Sequence, residues 1–269
     1  MEKFKWPMGP IGVRMTSDLL FKHLMQMSEA VLNELISSLL QVDAANISTE
    51  ITNPISIGDS IDDKTVILDV NLVMNGSTNV DLEMQVIDYG DWPERSVFYT
   101  ARNYGDLKTG EAYLNVRPSV HVGFLSYTLF PDRPKFYSTN VIMDAEDHHL
   151  YTDKFRIGVV DLTRTDLATE DDRKHNVDKW AAFFNAKKWE DMEMLAQTYP
   201  IIEEAATHLR KLTEDEKFRQ QQEAWEDRQR RVNGLKQLAD EANARAEKAE
   251  AETKRYRQML IDNGINPDD

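Results

Sequence analysis

The chain has 269 residues, 41% of them hydrophobic, a formal net charge of −15 and no cysteine. That apolar share supports a real core and excludes a disordered chain, and the missing cysteines exclude disulfides and thiolate metal sites without fixing a compartment. The negative balance argues against nonspecific attraction to phosphate, although acids that recruit divalent cations reverse the local sign.

No apolar run approaches the roughly 18 residues needed to cross a bilayer, so no membrane association is expected. The opening MEKFKWPMGP lacks the apolar region of a secretory signal, and a cytoplasmic location is the default expectation.

The first long helix is expected over residues 16–40. Thr16 or Ser17 can cap it, Asp18 sits in its first turn, and Leu20, Phe21, Leu24, Met25, Leu32, Leu35, Ile36 and Leu39 form an apolar stripe. A strand is expected over 47–57, with Pro54 placing it at an edge or a bulge. Two alternating runs, 65–74 and 78–88, read as a hairpin. Pro93 opens a second helix over 94–108, closed by Gly110. SVHVGFLSYTLF, residues 119–130, is largely apolar, as a strand buried on both faces should be. Weaker strands are expected over 136–144 and 155–162. The mixture indicates an α/β or α+β core ending near residue 165.

Beyond it the chain reads as helical. Residues 166–212 form a helical extension interrupted at Pro200, with Trp180 and Trp189 as packing anchors, a role Trp225 shares further on. Residues 213–269 form a long charged helix and its tail. Phe218, Trp225, Val232, Ala239 and Ala246 recur every seven residues, which makes it a candidate coiled coil for self-association, although Gln221 and Arg228 interrupt the seam. Asn233-Gly234 is a candidate break. His148-His149 reads as a polar loop, not a metal cluster.

The hairpin carries the chemistry. Val70, Leu72 and Met74 share one face with Val80, Leu82, Met84 and Val86 only if the turn has an odd number of residues, such as Asn75-Gly76-Ser77. The other face then sets Asp69 across from Glu83 and Asn71 across from Asp81, Cβ atoms about 4.5–5.5 Å apart. A polar strand face is often just solvated. This one, apart from Val73, carries Asp, Asn, Glu and Gln with no cation, a hard-oxygen set that suits magnesium, manganese or calcium. Asp81 is a ligand neighbour or a solvated residue, the second favoured by its apposition to Asn71.

Asp69 followed fourteen residues later by Glu83-Met84-Gln85 resembles the PD-(D/E)XK nuclease signature, and more narrowly that of the PD-(D/E)XK nuclease family transposases. SDLLFKHL around Asp18, RSVFYTARNYGDLKTGEAY from Arg95, DLTR at Asp161, DKWAAFF at Trp180 and the charged tail follow the same family's pattern. The resemblance implies a restriction-endonuclease-like core, a central mixed sheet flanked by helices, followed by a helical C-terminal extension. It implies a metal-dependent DNA endonuclease linked to recombination or mobile elements. Asp69 and Glu83 would be metal ligands, with Asp18 and the main-chain carbonyl of Met84 completing the shell around Mg2+ (or Mn2+ or Ca2+).

The chain departs from the pattern at two points. Leu68 stands where a Pro is usual, and Gln85 stands where a Lys is. Lys22, one turn after Asp18 on the same helix face, could supply the missing charge. Arg95 and Arg102, two turns apart with Tyr99 between them, are the expected DNA contacts; the alternative is that Phe98 and Tyr99 are core and the arginines surface ion pairs. The rival functions are a catalytically silent nuclease-like fold acting as a binding or assembly module, and an oligomerisation protein with a solvated acidic hairpin.

Overall fold

The computed structural model describes residues 4–56, 69–105, 107 and 109–262. These divide into two compact units, Met1–Gln222 and Glu223–Asp269. The strands are β1 (Thr49–Ile51), β2 (Val70–Met74), β3 (Thr78–Gln85), β4 (Ser119–Leu125), β5 (Tyr137–Met143) and β6 (Leu150–Asp161). They form one mixed sheet in the order β1-β2-β3-β4-β6-β5, with β3, β4 and β6 parallel and the other pairs antiparallel. The helices are α1 (Asp18–Met27), α2 (Glu29–Leu40), α3 (Trp92–Tyr104), α4 (Glu170–Lys174), α5 (Val177–Asn185), α6 (Trp189–Thr198), α7 (Ile201–Glu214) and α8 (Glu216–Asp262). This is the restriction-endonuclease-like α/β arrangement that the resemblance implied.

The expected 16–40 helix is two helices. Ser28 is extended (φ −146°, ψ 118°), its hydroxyl oxygen accepts from the Val31 N–H, and it caps α2. The apolar stripe continues through both helices, so periodicity gave no sign of the break. Ser17, the second of the two expected caps, accepts from Leu20 and starts α1. The first strand is shorter than expected. Its register pairs run from Thr49 to Ile51 and the Thr52 N–H still donates to the Asn71 carbonyl, after which the side chain of Asn53 takes over the ladder: its Oδ1 accepts from the Asn71 N–H and its Nδ2 donates to the Asp69 carbonyl.

The hairpin turn is Asn75-Gly76-Ser77. Met74 pairs with Thr78 and Asn71 with Asp81, as parity required. Asn75 and Gly76 both lie in the left-handed region (φ 51° and 64°), which an Asn-Gly pair tolerates best. The expected start of the first hairpin strand at residue 65, and Leu68 with it, fall outside the described residues. The β4 run is buried at all seven positions.

Parallel pairing of β3 with β4 needs a crossover, and α3 supplies it. The sheet then has two unlike faces. On one, Val80, Leu82 and Met84 of β3 join Val120, Val122 and Phe124 of β4. Phe21 of α1 and Phe184 of α5 pack on the Phe124 ring at 5.6 and 5.2 Å between centroids. On the other, Asp81, Glu83 and Gln85 lie beside His121, Gly123 and Leu125, and α3 covers them through Trp92. A Cβ at Gly123 would stand 2.1 Å from the Trp92 ring, so this close approach requires glycine.

Helices α5 and α7 pack against α1 and α2 in the same unit as the sheet. Trp180 is anchored there, its indole N–H donating to the Ser38 hydroxyl. Pro200 separates α6 from α7 as expected, but Asn233-Gly234 does not break α8, which runs through it as one helix of 47 residues. A lone Gly costs a helix about 1 kcal/mol, too little to interrupt neighbours that favour it. Among the described residues no helix is long and apolar enough to cross a membrane.

Candidate functional site

The polar face of the hairpin is not solvated. Asp69 is 8% exposed and Asp81 and Glu83 2% each, and Gln85 is buried with them. Burying carboxylates is unfavourable unless each is paired, bonded or protonated, so the partners decide what the site is. Asp69 directly precedes β2, one residue past the last register pair Val70↔Leu82, which brings it to the Glu83 row. Its main-chain carbonyl accepts from the Lys22 ammonium at 2.9 Å and from Asn53 at 3.0 Å. Lys22 is itself buried on α1, one turn beyond Asp18. α1 thus brings Lys22 to the Asp69 main chain, while the Asp18 carboxylate accepts from the Leu19 N–H in the same first turn.

Glu83 is held on two sides. Arg95 of α3 places Nη2 2.6 Å from its Oε1, and Nε2 of His121 lies 3.6 Å from its Oε2, too far for a hydrogen bond. His121 is fully buried on β4, and its Nδ1 lies 3.0 Å from Asp81 Oδ2, so the imidazole sits between two acids with the Trp92 ring 5.4 Å away. Asp81 is thus a buried, histidine-held residue, which corrects the favoured reading of it as solvated. Oδ1 of Asp81, Oε2 of Glu83 and Nε2 of His121 are buried without a hydrogen-bond partner. The sequence reading missed His121. Its signal was present: one imidazole inside an otherwise apolar central strand, in the register row of Asp81.

The electrostatics follow from this crowding. Burial, then the neighbouring Asp69, push Glu83 up to about 9 from its ordinary 4.5; Arg95 opposes the shift and is outweighed. The short Arg95 contact favours an ionised Glu83, while burial and the neighbouring acids favour its protonated form and outweigh it. Burial raises Asp69 to about 6, with Asp81 adding to it, and raises Asp18 to about 7, with Asp69 adding to it. Burial lowers Lys22 to about 8 against the pull of Asp69 and Asp81.

The other expected residues are placed as follows. The Gln85 amide donates to the Ile87 carbonyl. Met84 turns its side chain into the aromatic-packed face, leaving only its main chain between Glu83 and Gln85. Tyr99 lies 5.6 Å beneath the Arg95 guanidinium, and Arg102 is exposed in the last turn of α3. Phe98 is 62% exposed, so it is not core, and Arg95 pairs with a buried acid, so it is no surface ion pair.

Among the described residues no three His, Asp or Glu side chains stand together as a ready metal cage. The expected ligand set has three carboxylates, Asp18, Asp69 and Glu83, with the Met84 carbonyl, and these three do not stand as such a cage. The chemistry of these donors fits a hard divalent cation. They are oxygens, burial and neighbouring acids raise their proton affinity, and one of them, Glu83 Oε2, is buried without a hydrogen-bond partner, as is Oδ1 of the adjacent Asp81. His121 and Arg95 hold the acids from the side of the sheet and of α3.

The family model for PD-(D/E)XK nuclease family transposase matches residues 15–246. No curated protein and no solved structure matches the chain.

Proposed function

The chain belongs to the PD-(D/E)XK nuclease family transposases, and from that membership we propose that it is a divalent-metal-dependent endonuclease that hydrolyses phosphodiester bonds in DNA. The observation that carries the reading is the burial of Asp69 and Glu83 together beside Lys22, with the proton affinity of each raised first by burial and then by a neighbouring acid, Asp81 for Asp69 and Asp69 for Glu83. A fold that needed only a solvated acidic face would not bury it.

Asp69, Glu83 and the Met84 carbonyl would hold Mg2+ or Mn2+, with Asp18 ligating directly or through water. The cation, when bound, supplies a water of lowered pKa and neutralises charge on the phosphate. The chain's own residues do the rest. His121 fixes Asp81 and flanks Glu83 Oε2, while Arg95 holds Glu83 Oε1. Lys22 holds the Asp69 main chain and brings a cation to the acids, the role that the usual Lys would play at position 85. Arg95, released from Glu83, is available to a phosphate oxygen, for which its planar fork is suited. Arg102 and Tyr99 line the approach. We place the activity in recombination or mobile-element biology, in the cytoplasm, with α8 as the self-association element; Leu235, Leu238 and Tyr256 are exposed along it.

The test is nicking of supercoiled plasmid with magnesium, manganese or calcium by the wild type, Asp69→Ala and Glu83→Ala. Metal-dependent nicking lost in both variants is expected. Two observations favour the catalytically silent assembly module: Glu83 is ion-paired to Arg95, and the Gln85 amide is bonded within its own turn. Absence of nicking with every metal, or equal nicking by the variants, decides for that reading.

A further inference from the structure

The buried acids open onto a trough. One recess, of about 220 Å³, is lined by Thr52, Asp69, Asn71, Asp81, Tyr99, Arg102 and Asn103. A second, of about 410 Å³, shares Thr52, Asn71, Arg102 and Asn103 with it and continues along Val73 and Asn79 to Arg117. The shared residues make the two recesses neighbours along one trough. Its floor is the antiparallel β2–β3 pair and its wall is the C-terminal half of α3, fastened to the floor where the Asn79 amide donates to the Asn103 carbonyl.

The chemistry changes along this trough. At the inner end stand Asp69 and Asp81. In the outer recess the charged side chains, among the described residues, are Arg102 and Arg117, with no acid beside them. Neither arginine has an ion pair or side-chain hydrogen bond among the described residues, although the chain carries fifteen more negative than positive charges. Two unpaired guanidiniums in one recess of so acidic a chain are placed for an anion. The amides of Asn71 and Asn103 add uncharged donors. From the Asp81 row to the Asn79 row is about 7 Å at roughly 3.4 Å per strand residue. Asn79 donates its N–H to the Pro118 carbonyl, which puts Arg117 just past that row. A polyanion with charges repeating over a few ångströms spans this distance, whereas a single phosphate does not.

We propose that this trough is the binding path of one nucleic-acid strand, with Arg102 and Arg117 holding successive backbone phosphates on one side of the bond presented to Asp69 and Glu83. Arg117 is then a substrate-binding residue outside the expected set of Arg95, Tyr99 and Arg102. The proposal rests on the reading of the acidic site as a phosphodiester-cleaving centre. It adds to that reading a direction for the strand and the residue that fixes its far end. Backbone contacts of this kind position the strand and carry no sequence information.

The experiment is fluorescence anisotropy of labelled single-stranded and duplex oligonucleotides, of DNA and of RNA, against the full chain over 50–200 mM salt. Each phosphate contact contributes about 0.7–0.9 to the slope of log affinity against log salt, or about threefold in affinity over that range. Arg102→Ala and Arg117→Ala should each remove about one such contact and the double variant about two. Arg133→Ala, in a separate recess beside Phe130, should leave the slope unchanged, and Arg117→Lys should restore it. Circular dichroism confirms that each variant is folded. Unchanged slopes in both single variants, or loss in Arg133→Ala equal to that in Arg117→Ala, overturn the trough even if the wild type cleaves. No oligonucleotide binding by the wild type at any salt overturns it as well. Slopes that fall as stated in a protein that never cleaves uphold the trough and count against the endonuclease reading alone.

Discussion

The two faces of β3 are built from one eight-residue strand, yet they oppose each other in almost every physical respect. Its even residues meet Phe21, Phe124 and Phe184 in a packed, chemically idle layer. Its odd residues are as deeply buried but carry Asp81, Glu83 and Gln85, with Trp92 the large apolar cover. Burial on the first face stabilises the fold. Burial on the second opposes it, because carboxylates are kept from water beside one another. A protein that retains the second arrangement holds it against its own stability, which is what is expected of a site that binds something.

Substitutions can break this contrast. The largest effect is expected at the acidic face on activity: Asp69→Ala or Glu83→Ala should lower metal-dependent cleavage on the order of 10³-fold, since a bound cation supplies several kcal/mol of charge stabilisation. The isosteric Asp69→Asn and Glu83→Gln should leave denaturant stability equal or higher. On the opposite face Phe124→Ala should cost about 3–5 kcal/mol by denaturant titration. Gly123→Ala should cost about 1–3 kcal/mol, because the added Cβ collides with Trp92 and pushes α3 from the sheet. Lys22→Ala should lower the turnover rate by tenfold or more with a smaller change in KM; an intact rate would remove Lys22 from the chemistry.

The last effect is graded with pH. Asp69, Asp18 and Glu83 have folded-state values raised to about 6, 7 and 9. Their folded forms therefore bind protons more tightly than the unfolded chain, and their contribution to stability is full below about pH 4. It should be lost as pH rises through those values, so metal-free protein should lose stability between pH 5 and 9. Glu83→Gln should flatten the upper part of that decline. A decline identical in wild type and Glu83→Gln would show that Glu83 is not the group responsible.

Much of this was legible in the sequence. Parity fixed the three-residue turn and the Asn71–Asp81 register, because a one-residue slip would have mixed the two faces. The helix-opening Pro93 and the apolar 119–130 run placed the starts of α3 and β4, but α3 ends at Tyr104 with Gly105 as its cap and β4 ends at Leu125, short of the expected 108 and 130. Other features had no local signal. Ser28 breaks a helix whose apolar stripe continues unbroken on both sides. Asn53 extends the ladder with its side chain, which no backbone propensity encodes. Alternation shows which residues share a face but not whether that face meets water, so the bland reading of Asp81 survived until α3 and His121 were seen to cover it. His121 and Arg117 become meaningful only through β3–β4 pairing, a contact between segments some forty residues apart.

The most direct test of the central claim, that the acidic face is a buried metal site, is thermal unfolding at pH 8 of the wild type and Glu83→Gln, each with and without manganese. The account predicts that the metal-free variant melts above the metal-free wild type, that manganese raises the wild type by several degrees, and that the variant responds little. A wild type insensitive to millimolar manganese, or a variant that gains as much from it, would contradict the claim.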